Sequence, residues 1–293
     1  MAAIIIDGKA VAAKIRSEVR ERTARVKERG INPCLAVILV GDNPASLSYV
    51  KSKQKALAEA GMEGRDIHLP ETVSEDELLS IIASLNSDAL VHGILVQLPL
   101  PDHIREELIL SALEPRKDVD CFHPVSMGRL IQGQSGILPC TPYGIVVLLT
   151  EYGIPVSGKQ VVVVGRSNIV GKPLAMLLAR REMNATVTLC HTGTEDLASI
   201  TSRADILIAA VGKPGLIKGD MIKKGAAVID VGINRVPDPL AKKGYCLRGD
   251  VEFEEAVEIA GWISPVPGGV GPMTIAMLLQ NVLEASDLIS KKE

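Results

Sequence analysis

The sequence predicts an α/β protein of two domains, the second built on a doubly wound sheet, and three observations lead there. Short apolar runs rich in β-branched residues alternate with amphipathic helical stretches along most of the 293 residues. The chain is 47% hydrophobic but only 2% aromatic, so Ala, Val, Ile and Leu must fill its core, as in helix-covered parallel sheets. The length also exceeds what a single hydrophobic core usually serves.

In order, residues 3–6 read as a short strand, and Asp7-Gly8 opens a long amphipathic helix ending near Gly30. Cys34-Leu-Ala-Val-Ile-Leu-Val40 has the length and branching of a buried strand. Asn43 is placed to cap the next helix, with Pro44 at its first position and its end near Gly61. Ser74-Glu-Asp-Glu77 forms a capping box before another helix, and His92–Leu98 reads as one more buried strand. From about 114 to 142 the chain is rich in Pro and Gly, so irregular backbone and a domain junction or cleft are expected. Beyond it, strands are expected at 161–164, 186–190, 205–211 and 226–231, with helices near 171–182, 194–202 and 219–224. The domains are expected at 1–145 and 146–271, with 272–293 carrying a last helix that packs back on the first.

Composition narrows the function. A net charge of −3 offers no electrostatic footprint for nucleic acid or an anionic membrane, and no apolar run approaches a membrane span. Cys34, Cys121, Cys140, Cys190 and Cys246 are scattered and odd in number, with no C-x-x-C pair. Neither a disulfide framework nor a zinc site is expected. The histidines lack metal-ligand spacing, so no metal is assigned. The start of the chain has no basic segment ahead of its apolar residues, unlike a signal peptide, and a cytoplasmic protein is expected.

Val161-Val-Val-Val-Gly165-Arg-Ser-Asn-Ile-Val-Gly171 places a glycine turn between a strand and a helix. Backbone N–H groups at such a helix start suit a pyrophosphate, although Ser167 stands where the usual second glycine would be. An ordinary strand–helix turn is the competing reading. The second strand ends in Cys190-His191-Thr192-Gly193, with no acid before Glu195 to take the ribose hydroxyls of NAD. Arg166 could meet a 2′-phosphate instead, so the site leans to NADP, unless Arg166 is only a solvated loop charge.

In the helix after Pro44, Leu47, Val50, Leu57, Ala58 and Gly61 are expected to form the core stripe, with Lys51, Lys55 and Glu59 in solvent. Tyr49 and Lys53 are four apart and share a flank of that stripe. A lysine there loses hydration, which favours its neutral form and proton transfer; the bland alternative is a lysine snorkelling at the core rim. Gln97 is an amide at the carboxyl end of an apolar strand, where open α/β sheets bind ligands. Asp118 and Asp120 follow in the proline-rich loop, and spacing does not choose between site and turn residues.

Ser48-Tyr-Val-Lys-Ser-Lys53, Val96-Gln-Leu-Pro-Leu-Pro101, Lys117-Asp-Val-Asp120, Pro139-Cys-Thr-Pro142, Gly165–Gly171 and Pro267-Gly-Gly-Val-Gly-Pro-Met-Thr274 occur in that order. With them the chain resembles the bifunctional methylenetetrahydrofolate dehydrogenase/methenyltetrahydrofolate cyclohydrolase family, from about residue 3 to 288. The resemblance implies a folate-binding catalytic domain, an NADP-binding Rossmann domain and a cleft between them. It implies oxidation of 5,10-methylenetetrahydrofolate, then hydrolysis to 10-formyltetrahydrofolate in the same site. Lys53 would serve the hydrolysis, Gln97 would hold it, Tyr49 would pack on the folate and Asp120 would bind the pterin N–H groups. Val96, Leu98 and the Pro267, Gly268, Gly269 and Val270 loop would line the folate pocket. Gly165, Arg166, Ser167, Gly171, Thr192 and Ile233 would bind the dinucleotide, NADP before NAD, in a homodimer.

Four positions depart from the family's habit. Cys121 replaces a glycine and is expected to alter the backbone beside Asp120. Ser126 replaces an asparagine, and Thr192-Gly193 replaces a Ser-Lys pair, which costs a cation. A monofunctional dehydrogenase would not need Tyr49, Lys53 and Gln97 together. A nucleotide-sensing protein without turnover, or a dehydrogenase of small acids, would not need the folate-pocket strings.

Overall fold

The structure is a computed structural model that describes residues 2–241 and 244–290. In chain order its elements are β1 (Ile4–Ile5), α1 (Gly8–Glu28), β2 (Cys34–Val40), α2 (Pro44–Glu59), β3 (Glu63–Leu69), α3 (Glu75–Ser87) and β4 (Gly93–Val96). Then come α4 (Glu106–Ser111), α5 (Pro124–Ile131), α6 (Cys140–Glu151), β5 (Gln160–Val164), α7 (Gly171–Ala179), β6 (Thr186–Cys190), α8 (Leu197–Thr201) and β7 (Ile206–Ala209). The chain closes with β8 (Ala227–Asp230), β9 (Asn234–Pro237), β10 (Tyr245–Arg248), α9 (Phe253–Ala256), β11 (Trp262–Ile263) and α10 (Val270–Ser290). One compact unit holds Ala13–Cys140 and the chain from Ile275; the other holds the chain up to Ala12 and Thr141–Thr274.

The first unit is built on a parallel sheet in the order β3-β2-β4. Every residue of β2 is buried, as its unbroken apolar run requires of a central strand. β3 pairs with it residue for residue, from Cys34↔Glu63 to Val40↔Leu69. The sequence reading did not single β3 out, because its residues are polar; it is an edge strand whose alternate side chains stay half-exposed. Ile38, Ile82, Ile94 and Ile109 lie in one buried cluster between this sheet and its helices.

Caps mark the helix ends. Asn43 Oδ1 accepts from the Ser46 N–H at 3.4 Å, and Ser74 Oγ from the Glu77 N–H at 3.2 Å. The buried Lys117 ammonium closes α3, donating to the carbonyls of Leu85, Asn86 and Asp88 at 3.0, 2.8 and 2.7 Å. Within the stretch expected to be irregular, α5 forms behind Pro124, and His123 Nδ1 accepts from the Val125 N–H at 3.0 Å. The last helix joins this unit through Asn281, whose amide donates to the Val119 and Leu138 carbonyls, both at 2.8 Å.

The second unit carries a parallel sheet in the order β1-β11-β8-β7-β5-β6 and an antiparallel β9–β10 hairpin. β1 pairs with β11 here, Ile4↔Trp262 and Ile5↔Ile263, although residues 1–145 were assigned to the first domain. A strand of two residues carries no pattern that could name its partner. β5 lies between β6 and β7, so the strand order reverses at its carboxyl end. That is where open α/β sheets bind ligands. Two expected helices are short: α8 spans Leu197–Thr201, and 219–224 yields only a 3-10 turn at Gly219–Met221.

Candidate active site

In the first unit the buried positions of α2 are Ser46, Val50, Lys53, Ala56 and Leu57, continued by Ala60 just past its end, and steps of three and four join them in one face. Lys53 therefore sits in the middle of the buried face and not on its flank. Leu47, expected in the stripe, is 38% exposed, and Ala58 also faces solvent. Lys53 is only 5% exposed, so it does not snorkel. Its Nζ donates to Gln97 Oε1 at 3.0 Å and lies 5.0 Å from the centroid of the Tyr49 ring.

The neighbours of Lys53 come from three parts of this unit. Gln97 follows β4, anchored by its N–H to the Ile38 carbonyl at 2.8 Å. Its Nε2 donates to the Leu98 carbonyl at 2.9 Å, which leaves the amide oxygen for Lys53. Asp120 and Cys140 act electrostatically on Lys53, and the Cys140 thiol donates to the carbonyl of Val119, next to Asp120, at 3.4 Å. Burial lowers the Lys53 pKa below its usual 10.5, and Asp120 then Cys140 partly oppose the shift. Burial pushes the Cys140 thiol well up, so it stays protonated. Cys140 was not foreseen as part of this cluster; its only signal was its place in Pro139-Cys-Thr-Pro142.

The two aspartates separate cleanly. Asp118 is 1% exposed and accepts from the N–H groups of His123 at 2.8 Å and Phe122 at 3.2 Å, and from Ser126. It ties down the loop ahead of α5, and Ser126 serves that loop. Asp120 is half-buried and faces Lys53. Between them and α5, Cys121 adopts φ 61°, so the backbone keeps the left-handed conformation that glycine takes freely. A side chain in that conformation costs strain of about 1–2 kcal/mol. Val96 is buried under the cluster and Leu98 is half-buried beside Gln97.

In the second unit Gly165 and Gly171 form the turn between β5 and α7. A Cβ at Gly171 would overlap the Gly165 carbonyl, and one at Gly165, where φ is 126°, would overlap the Ala210 carbonyl. Both glycines are thus required by close backbone approach, which an ordinary turn would not demand. The loop N–H groups are less open than the sequence suggested. Those of Val170 and Gly171 point at Ser167 Oγ, at 3.2 and 3.4 Å, and that of Lys172 donates to the Ser167 carbonyl at 3.1 Å. The exposed Arg166 and Ser167 side chains and the α7 dipole are what the turn offers a phosphate.

Thr192 and Gly193 are exposed at the end of β6, where the Gly193 N–H donates to His191 Nδ1 at 3.0 Å. Ile233 is 54% exposed, close to Gly271 at the start of α10. Ahead of that helix, Pro267 is exposed, Gly268 half-buried, and Gly269 and Val270 are buried. A Cβ at Gly8 would overlap the Gly269 carbonyl, so this loop packs on the start of α1.

A model of the tetrahydrofolate dehydrogenase/cyclohydrolase catalytic domain matches residues 6–120, and one of the NAD(P)-binding domain of the same enzymes matches 139–289. The chain belongs to the tetrahydrofolate dehydrogenase/cyclohydrolase family. A curated relative from Moorella thermoacetica, the bifunctional protein FolD, is 58% identical over 98% of this chain and 99% of its own. The Campylobacter jejuni bifunctional FolD structure matches with a TM-score of 0.93 and 51% identity, over 98% of this chain and 99% of that one. The Trypanosoma brucei FolD structure, complexed with NADP cofactor and inhibitor, matches with a TM-score of 0.95 and 43% identity over 100% of both chains.

The family therefore has its catalytic half where Lys53 is buried and its NAD(P)-binding half where the glycine turn lies. Among the described residues no group of three or more His, Cys, Asp and Glu could hold a metal ion. No described helix is long and apolar enough to cross a membrane.

Proposed function

We propose that this chain oxidises 5,10-methylenetetrahydrofolate with NADP⁺ and hydrolyses the resulting 5,10-methenyl compound to 10-formyltetrahydrofolate. The observation that carries the reading is Lys53, a buried amine held by Gln97 beneath the Tyr49 ring and facing Asp120. A lysine in that setting is expensive unless its proton chemistry is used.

When bound, the nicotinamide supplies a hydride acceptor for the methylene carbon. That step needs alignment more than proton transfer, so the protein's part in it is to hold two carbons close. Hydrolysis asks more of the side chains. Desolvation favours neutral Lys53, which can take a proton from attacking water, whereas an ammonium beside a cationic substrate would be repelled. Gln97 cannot turn its amide without losing its bond to Leu98, so its oxygen stays turned to Lys53 and holds the amine in place. Asp120 accepts from the pterin N–H groups, and Tyr49, Val96, Leu98 and Pro267–Val270 contact the folate.

Gly165, Arg166, Ser167, Gly171, Thr192 and Ile233 bind the dinucleotide. NADP is favoured over NAD by Arg166 and by the lack of an acid after β6, and the NADP-bound Trypanosoma brucei relative supports that order. The missing cation at Gly193 weakens the preference without reversing it. A cytoplasmic homodimer completes the reading; the five free cysteines support a reducing compartment, and sedimentation tests the dimer. The monofunctional alternative is disfavoured because the Lys53–Gln97 pair is intact.

Absorbance of the protein with 5,10-methylenetetrahydrofolate and NADP⁺, repeated with NAD⁺, tests both steps. NADPH formed without accumulation of the methenyl compound is expected. Accumulation of that compound would leave a dehydrogenase alone, and no reduction of either nucleotide would refute the proposal.

A further inference from the structure

The second unit holds a buried acidic pair that the proposed chemistry does not use. Asp230 ends β8, and Asp250 follows β10; they are 4% and 0% exposed. Asp250 Oδ2 accepts from the N–H groups of Val211 at 2.7 Å and Gly212 at 3.0 Å, and its Oδ1 accepts from the Asn234 amide at 2.9 Å. Asp230 Oδ1 accepts from the N–H groups of Gly232 at 3.0 Å and Asp250 at 2.9 Å, and its Oδ2 from that of Val251 at 3.0 Å. All of these partners are amide N–H groups, five from the backbone and one from the Asn234 side chain, so oriented amide dipoles hold the two carboxylates in place. The approach is close enough that a Cβ at Gly232 would overlap the Asp250 carboxylate, and one at Gly249 the Asp230 carboxylate.

The segments so gripped frame the dinucleotide site of the same unit. Val211 and Gly212 continue directly from Ala210, whose carbonyl is the surface against which Gly165 closes. They lie past the carboxyl end of β7, at the reversal of strand order. Gly232 and Asn234 flank Ile233. One carboxylate thus sets both the loop beyond the glycine turn and the segment presenting Ile233.

We infer that Asp250, itself held by Asp230, is a positioning residue for dinucleotide binding, fixing Val211–Gly212 and the Gly232–Asn234 segment. The inference rests on the proposed pair of activities for its assays, but not for its binding measurement.

The test compares Asp250→Asn, Asn234→Asp and the double variant with the wild type. In Asp250→Asn one amide oxygen can still face Val211 and Gly212, but an NH₂ then meets the Asn234 NH₂. The double variant restores a donor–acceptor pair with its polarity reversed. By calorimetry, NADP⁺ affinity should fall at least tenfold in each single variant and return to within threefold of wild type in the double. The KM for NADP⁺ should move with it more than kcat does. Hydrolysis of supplied 5,10-methenyltetrahydrofolate, run without dinucleotide, should stay within twofold of wild type in all three. Unchanged NADP⁺ affinity in Asp250→Asn, no recovery in the double variant, or a parallel fall of hydrolysis and Tm would overturn the inference. A wild type that binds NADP⁺ but turns over neither substrate would refute the proposed activities while leaving the binding comparison to decide this one.

Discussion

Replacing Lys53 with Met removes the amine and leaves an unbranched side chain one atom shorter in the centre of the buried face of α2. Gln97 Oε1 then loses the donor it meets at 3.0 Å. An unpaired buried acceptor costs about 1–3 kcal/mol, and the half-buried Gln97 should fall at the low end. The loss is offset because a desolvated amine, only 5% exposed, is replaced by a thioether that prefers burial. The variant should therefore fold, with a stability within about 2 kcal/mol of wild type. Its hydrolysis should suffer far more. A positioned acid–base group contributes about 10²–10⁴-fold, or roughly 3–5 kcal/mol at 1.36 kcal/mol per decade. With 5,10-methylenetetrahydrofolate and NADP⁺, the variant should form NADPH while the methenyl compound accumulates in step with it. In the wild type the hydrolytic rate should rise with pH and level off below 10.5, because burial lowers the Lys53 pKa and the neutral amine is the active form. Hydrolysis within tenfold of wild type in Lys53→Met, or an equal loss of the hydride step, would refute the reasoning.

Gly171→Ala puts a methyl group into the Gly165 carbonyl; about 1–3 kcal/mol of stability should be lost, with weaker NADP⁺ binding in a titration, and unaltered affinity would argue against a phosphate site at this turn. Lys117→Met leaves the carbonyls of Leu85, Asn86 and Asp88 without their ammonium; urea unfolding should show a loss of about 2–4 kcal/mol, and an unshifted midpoint would mean that water replaces it. Burial raises the Asp230 pKa from 3.8 to about 6. Native Asp230 thus keeps a proton that the unfolded chain has released, and its contribution is full below pH 4 and lost as pH rises through 6. The stability difference between wild type and Asp230→Asn should accordingly shift by about 3 kcal/mol from pH 4 to pH 7, a result that parallel pH curves for the two proteins would contradict.

Periodic elements were the legible ones. β2 and β6 lie where their β-branched runs place them, and Asn43 and Ser74 mark the helix starts they were expected to mark. Elements stabilised by one partner were not. β3 is polar and pairs only with β2, and α5 grows out of a proline-rich stretch on the strength of Pro124 and His123; β1 lies within its expected 3–6, but nothing in two residues named β11 as its partner. The candidate site divides in the same way. Lys53, Gln97 and Asp120 could be named, because polar residues beside apolar runs and a family's strings stand out in a sequence. Asn281, an amide in an apolar helix, offered the same kind of signal and was passed over.

By itself the sequence determined the α/β class, the glycine turn with its dinucleotide half and the family, since each rests on local pattern or on contiguous strings. Only the tertiary structure decided that Lys53 is buried and not at a rim, that Asp118 ties a loop while Asp120 faces the lysine, and that Cys121 holds a glycine's backbone conformation. It also decided that Cys140 joins the cluster and that Asp250 grips Val211 and Gly212. These are contacts between residues far apart in the chain. Desolvation and hydrogen-bond partners, which set the protonation of a lysine or an aspartate, depend on what the folded chain brings within a few ångströms, and spacing along the sequence carries no record of it.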